Sequence, residues 1–201
     1  MLDEIRVLQA LRLKGMPTAS DVVDAVGSDG EPILRELVRQ GRCTENGGRH
    51  KLTTAGRDRL ALLLAEERSG VDQRALADLY ERFDAHNTLV KTVVTEWQLK
   101  GGSVLNDHGD PDYDQAVVAR LGEVHRGFEP LLARIVAVAP RLAPYPGRLS
   151  RALARVGAGD HSWFAKPLVD SYHTVWFELH EDLITLLGRT REAEAAAGRA
   201  G

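Results

Sequence analysis

The chain is poor in cysteine, in aromatic residues and in net charge. Its 201 residues include one cysteine, Cys43, so an intrachain disulfide is excluded and a cysteine-based zinc cluster is disfavoured. No stretch approaches the ~18 uncharged apolar residues that a membrane-spanning helix needs, so we expect no membrane partner. The formal net charge of -3 argues against a general nucleic-acid coat protein. The opening residues MLDEIRVLQ lack a signal-peptide core, and we expect a cytoplasmic protein.

Residues 1–70 predict three short helices, a tight hairpin and a fourth helix. Thr18 with Asp21, and Ser28 with Glu31, have the spacing of helix-starting capping boxes. The helix ends are marked by glycines, and Asn46 before a Gly-Gly pair is a strong hairpin signal. The apolar residues that recur at helical spacing in the first and fourth segments are Leu2, Ile5, Leu8, Leu11, Leu60, Leu63 and Leu64.

The segment LRELVRQGRCTENGGRHKLTTAGRDRL, residues 34–60, resembles the recognition helix, wing and following helix of MarR-like transcriptional regulators. The resemblance covers the N-terminal third of the chain and implies a winged helix-turn-helix. It implies that the third helix enters the major groove of double-stranded DNA and that the hairpin wing contacts phosphate or the minor groove. The basic residues that it places at the DNA are Arg35, Arg39, Arg42, Arg49, His50 and Lys51.

The charge of the same segment leaves a second interpretation open. Residues 1–70 contain 11 basic and 11 acidic side chains, and Asp29, Glu31 and Glu36 lie on the helix that would approach DNA. These acids favour the helix dipole but repel phosphate. A winged helix that docks on protein is therefore the alternative to one that binds DNA. We expect Cys43 to be a small apolar filler of the first hairpin strand rather than a redox switch.

Residues 71–188 predict a helical domain. A long helix is expected over 72–100, a second over 114–128, a third beginning near Pro130, a short one after 144 and a last one over 168–187. Residues 189–201 carry no apolar anchor and predict a disordered tail. The fold class expected from the sequence is thus mainly α, with an N-terminal winged helix-turn-helix and a C-terminal α-helical bundle.

Polar residues interrupt the apolar stripes of this second domain. His86 and Asn87 form either a buried pair that fixes register or a ligand contact. Residues 106–114, NDHGDPDYD, begin like a calcium loop but lack its later glycine and glutamate, so we expect a polar loop that caps the next helix. Asp107 and His108 in this loop are retained as candidate site residues.

The last helix carries two histidines. A helical wheel places His173 and His180 at the edge of the apolar arc around Trp176, and places Glu178 and Asp182 away from it. The histidines are either core residues, with partners such as Glu96, Asp107 or His86, or they line a ligand pocket. The aromatic walls expected for that pocket are Trp97, Trp163 and Trp176. His173 and His180 are about 10.5 Å apart along the helix, which disfavours a metal ion shared by the two imidazoles.

Three functions remain from the sequence. The first is a homodimeric transcriptional regulator whose helical domain dimerises and senses a small molecule. The second is an accessory protein that docks on an enzyme. The segments NDHGDPDYD and DSYHTVWFELHEDL resemble segments of uncharacterised actinobacterial winged-helix proteins. That resemblance implies that the partner enzyme is one that uses phosphoenolpyruvate. The third is a small enzyme using His86, Glu96, His173 and His180, although no catalytic residue, metal or cofactor is assigned.

Overall fold

The computed structural model describes residues 2–167 and 169–196 and is mainly helical, with two small antiparallel hairpins. The N-terminal elements are α1 Leu2–Lys14, α2 Ala19–Val26, α3 Gly30–Arg39, β1 Cys43–Asn46, β2 Arg49–Leu52 and α4 Thr54–Gly70. They are followed by α5 Gln73–Gln98, β3 Leu99–Lys100, β4 Val104–Leu105, α6 Pro111–Val138, a 3₁₀ turn Pro140–Leu142, α7 Pro144–Gly157, α8 Ser162–Ala165, α9 Tyr172–Leu186 and α10 Arg191–Ala196.

The N-terminal helices and the first hairpin enclose one apolar core. Thr18 and Asp21 form the expected capping box at the start of α2. The expected second box is wrong, because α3 begins after Asp29, which makes no side-chain cap. Gly41 ends α3 in the left-handed conformation, with φ 67°. The fully buried side chains of this core include Ile5, Leu8, Leu11, Leu34, Leu37, Leu60 and Leu63.

The first hairpin is held at both of its ends. Gly47 and Gly48 have φ values of 57° and 74°, which suits a two-residue turn between right-twisted strands. At the base, Thr53 caps α4, and a Cβ added to Gly56 would lie 2.0 Å from the carbonyl oxygen of Arg42. A glycine at position 56 therefore lets α4 pack directly on the entry to β1. Cys43 is buried at that entry, as expected for a filler.

The second half is a helical bundle built on the antiparallel pair α5 and α6. The long helix expected over 72–100 is confirmed as Gln73–Gln98. The two helices expected over 114–142 are a single helix, α6, because its buried face continues through Phe128, Leu131 and Ile135 on both sides of Pro130. The ring of Pro130 is exposed and costs the helix one backbone hydrogen bond.

Helix α9 lies at the centre of the bundle, packed against α4, α5, α7 and α8. Helix α10 follows it, with Glu194 buried, where the sequence predicted a disordered tail from residue 189. Residues 197–201 of that expected tail lie outside the described residues. Among the described helices, none is both long and apolar enough to cross a membrane.

Candidate functional site

The outer face of α3 carries two exposed arginines. Leu34 and Leu37 turn into the core, so Arg35 and Arg39 project outward with side chains that are 73% and 74% exposed. Gly30 brings α3 against α2 so closely that an added Cβ would lie 2.5 Å from a methyl of Val26. The tight crossing fixes the direction of α3, and with it the face from which both arginines project.

Each of these arginines has an acidic neighbour on the same helix. Arg35 lies 3.9 Å from Glu31, and the Nε of Arg39 donates to Glu36 over 2.7 Å. Hydrogen bonds from Arg39 and Gln40 hold the pKa of Glu36 below its usual value. Exposed ion pairs of this kind contribute little to stability, because water and salt screen them. A phosphate or a base edge could therefore replace Glu36 as the partner of Arg39 at little cost.

The first hairpin presents Arg49 and Lys51 to solvent. The other two residues that were expected to contact DNA in this region, Arg42 and His50, are less exposed. The Nη1 of Arg49 donates to the carbonyl of Met16 over 2.9 Å, which ties the hairpin to the loop after α1. His50 was expected at the DNA and is instead buried, with its backbone N–H on the carbonyl of Pro17. Arg42 is half-buried and donates to Glu4 of α1 over 2.7 Å, so Glu4 competes with the phosphate that was expected as the partner of Arg42.

The histidines of α9 do not share a pocket. His173 is exposed, contrary to the helical-wheel prediction, whereas His180 is buried as expected. The Nε2 of His180 lies 2.9 Å from the hydroxyl of Tyr80, which in turn donates to Glu194 over 2.9 Å. Burial, with Arg191 and Lys91 nearby, lowers the pKa of His180 to about 4. Neither Tyr80 nor Glu194 was predicted from the sequence as a partner of this imidazole.

The other candidates in the bundle interior are parts of its packing. Asn87 accepts a hydrogen bond from the indole of Trp176 over 3.0 Å, and both residues are buried. This geometry matches the register-fixing interpretation of Asn87. His86 is half-buried against Phe128, with ring centroids 5.3 Å apart, and burial lowers the pKa of its imidazole. Glu96 points elsewhere, to the exposed Arg120.

The loop 106–114 forms an ordered polar cluster around a buried carboxylate. Asp114 is buried and accepts hydrogen bonds from Asn106 over 2.9 Å and from His108 Nδ1 over 3.0 Å. Burial raises the pKa of Asp114, but these hydrogen bonds outweigh it and the net shift is downward. His108 is held at a left-handed φ of 57° against the ring of Trp97. The loop caps α6 as expected, but through Asp110, so α6 begins at Pro111 and not at residue 114. Asp107 is exposed and caps the turn at Gly109.

A buried network of charged groups joins the N-terminal unit to the bundle. Glu178 and Asp182 were expected to point away from the core, but they are only 2% and 1% exposed. Asp182 accepts from Gln9 of α1 over 2.7 Å and from Arg141 over 2.9 Å, and Glu178 accepts from Arg148 over 2.6 Å. The network carries no local sequence signal, because its members come from α1, the 3₁₀ turn, α7 and α9.

A cleft of about 430 Å³ lies beside this network, between the N-terminal unit and the bundle. Its walls come from the end of α1, the loop into α2, Arg49 of the hairpin and the segment from α8 into α9. Trp163 is part of the wall, whereas Trp97 and Trp176 lie inside the bundle. The sequence had suggested that the three tryptophans line one pocket, and in the structure they do not.

Comparison with known proteins adds no relative. No family model, no curated protein and no solved structure matches this chain. Among the described residues, no three His, Cys, Asp or Glu side chains converge as the ligands of a metal ion would. The functional assignment therefore rests on the two surfaces described above, the outer face of α3 with its hairpin and the cleft behind them.

Proposed function

We propose that the chain is a winged-helix regulator that binds double-stranded DNA through α3 and the first hairpin. The observation that carries this proposal is the outer face of α3, where Arg35 and Arg39 project side by side from a helix fixed on α2. Arg49 and Lys51 of the hairpin that follows supply further exposed positive charge. In this arrangement α3 reads base edges and the hairpin contacts phosphate.

The near-neutral charge of this surface sets the expected mode of binding. Glu31 and Glu36 accompany the arginines, Arg42 is paired with Glu4 and His50 is buried, so few phosphate contacts are available. Each phosphate contact contributes ~0.9 to the slope of log affinity against log salt concentration. We therefore expect weak non-specific binding and a salt slope well below that of strongly basic winged helices, with affinity drawn mainly from base contacts.

A homodimer completes this proposal. A two-fold DNA site requires two recognition helices about 34 Å apart, and one chain supplies one such helix. The bundle is the part of the chain available to join two copies in the cytoplasm and to respond to an effector. Sedimentation equilibrium at micromolar concentration should show a dimer, and a monomer that binds DNA tightly would contradict the symmetric arrangement.

A second candidate function, docking on a protein partner, is favoured by one specific feature. The flank of α3 that faces α1 holds a concavity of about 350 Å³ whose apolar floor is formed by Pro32, Ile33 and Leu37. Glu4, Glu36, Gln40 and Arg42 surround it. An apolar groove with a charged rim is a common form of helix-docking surface on proteins.

One experiment separates the two candidates, because the two surfaces lie on different flanks of α3. Fragments of the source genome are recovered on the wild-type chain and on the variants Arg39→Ala and Ile33→Ala. DNA binding predicts specific fragments whose recovery falls with Arg39→Ala and persists with Ile33→Ala. Recovery of no specific fragment by the wild type would reject the DNA proposal and leave the docking groove as the better-supported surface.

A further inference from the structure

The joint between the N-terminal unit and the bundle contains a cavity of about 30 Å³. Gln9 and Ala10 of α1 contribute to its wall, as do Arg141, Tyr145 and Asp182 of the bundle. A single buried water requires about 10–15 Å³ of such volume. The cavity therefore has room for about one or two waters and is too small for an organic ligand.

Arg141 brings a hydrogen-bond donor without an acceptor to the wall of this cavity. Its side chain is only 2% exposed, with Nε donating to Glu67 over 2.8 Å and Nη1 donating to Asp182 over 2.9 Å. The Nη2 atom is buried and has no acceptor within residues 2–167 and 169–196. A buried N–H of a charged group is costly to leave unpaired, because water solvates the same N–H in the unfolded chain. An acceptor for Nη2 is therefore expected inside the cavity.

The charges around the cavity disfavour an ion as that acceptor. The carboxylates of Glu178 and Asp182 line the same wall as the guanidinium groups of Arg6, Arg141 and Arg148. The acids already have partners, since Glu178 accepts from Arg148 over 2.6 Å and Asp182 accepts from Arg141 over 2.9 Å. An anion would meet the two carboxylates, and a cation would meet the guanidinium groups. A small neutral molecule that both accepts and donates hydrogen bonds fits this wall, and water is the molecule of that size.

The wall also offers acceptors for the protons of a water. The Oδ2 atom of Asp182 accepts a hydrogen bond from the hydroxyl of Tyr145 over 2.6 Å, and a carboxylate oxygen has a second lone pair. The side-chain amide of Gln9, which donates to Asp182 Oδ1 over 2.7 Å, lines the cavity as well. Buried waters typically make about three hydrogen bonds, and Arg141, Asp182 and Gln9 supply that number of polar partners.

We propose that the joint binds an ordered water that accepts a hydrogen bond from Arg141 Nη2 and donates one to the carboxylate of Asp182. This water connects the 3₁₀ turn to α9 and, through Gln9, to α1. The N-terminal unit is then seated on the bundle partly through a water-mediated contact, in addition to the direct ion pairs. The inference is independent of the proposed function, because it depends only on groups inside the joint.

Nuclear magnetic resonance of the full chain, labelled with ¹⁵N at arginine, tests for this water directly. The guanidinium protons of Arg141, assigned by their loss in Arg141→Lys, should show Overhauser effects to water with the sign of a molecule that tumbles with the protein. The rotating-frame effect should have the opposite sign, which separates a bound water from proton exchange. Arg134, exposed on α6, is the control and should show exchange alone. Arg141 protons that show no such contact with water would overturn the proposal.

A second measurement, oxygen-17 relaxation dispersion, counts the long-lived waters of each protein. Ala10→Val enlarges a side chain in the wall of the cavity and should lower the wild-type count by about one or two waters. The matched control is Ala61→Val at an exposed position of α4, which should leave the count unchanged. A folded Ala10→Val variant with the wild-type count would contradict the proposal. If that variant does not fold, the Overhauser measurement on the wild type decides.

Discussion

Replacement of Asp182 by asparagine tests the joint between the N-terminal unit and the bundle. The carboxylate of Asp182 accepts three hydrogen bonds, from Gln9 over 2.7 Å, from Arg141 over 2.9 Å and from Tyr145 over 2.6 Å. The substitution keeps the shape of the side chain and removes its charge. Arg141, whose side chain is 2% exposed, then keeps Glu67 as its counter-ion and loses Asp182.

The expected cost follows from the burial of the guanidinium. Removing one partner of a buried ion pair typically costs ~3–5 kcal/mol, because the other charge stays desolvated. Glu67 still neutralises part of the charge, and the asparagine carbonyl still accepts one hydrogen bond. The loss should therefore lie near the lower end, at about 3 kcal/mol of the free energy of unfolding. A domain of ordinary stability has only ~5–15 kcal/mol in total, so the effect is large.

Urea unfolding followed by tryptophan fluorescence measures this loss, because the three tryptophans lie in or beside the bundle. The matched control is Asp58→Asn, the same chemical change at an exposed position of α4, which should alter stability by less than ~0.5 kcal/mol. An Asp182→Asn variant as stable as this control would refute the structural role given to the network.

Three further predictions concern single residues. The pKa of His180 is about 4 in the folded state and ~6.5 in the unfolded state. The free energy of unfolding should therefore be highest above pH ~6.5 and fall by up to about 3 kcal/mol as the pH drops toward 4. Urea midpoints plotted against pH should show this slope in the wild type and a shallower slope in His180→Gln. Gly56→Ala should cost at least ~2 kcal/mol, since its Cβ would meet the Arg42 carbonyl at 2.0 Å, whereas Gly70→Ala at the other end of α4 meets nothing within 4 Å and should be nearly neutral in the same unfolding assay. Because Cys43 is buried and burial raises the pKa of its thiol, labelling by a thiol-specific disulfide reagent should proceed only as fast as the chain opens, and fast labelling of the folded protein would contradict that packing.

Local signals explain which parts of the fold could be predicted. The capping box at Thr18, the left-handed Gly41 and the Asn46 turn each involve residues within a few positions of one another, so the sequence displays them directly. The mainly helical class with a short hairpin follows from such signals. The burial of His50 was equally readable, because strand alternation from Arg49 to Leu52 places His50 on the same face as the buried Leu52.

The parts that could not be predicted depend on distant contacts. The helical wheel of α9 assumed one solvent face, but α9 is surrounded by other helices, so Glu178 and Asp182 are buried among cations from α1, α7 and the 3₁₀ turn. The pairing of Arg42 with Glu4 joins residues 38 positions apart, and that of Tyr80 with Glu194 joins residues 114 positions apart. Such pairs decide which candidate site residues are free, and a single sequence carries no local sign of them.

The affinity of the chain for a DNA fragment recovered from the source genome tests the central claim most directly. Fluorescence anisotropy is measured for the wild type, for Arg39→Ala and for Arg134→Ala, an exposed arginine on α6 that serves as the control. If Arg39 contacts a base, its loss should weaken binding by ~1–3 kcal/mol, and Arg134→Ala should leave the affinity unchanged. Equal affinities for all three proteins, or no saturable binding by the wild type, would contradict the assignment of α3 as a DNA-reading helix.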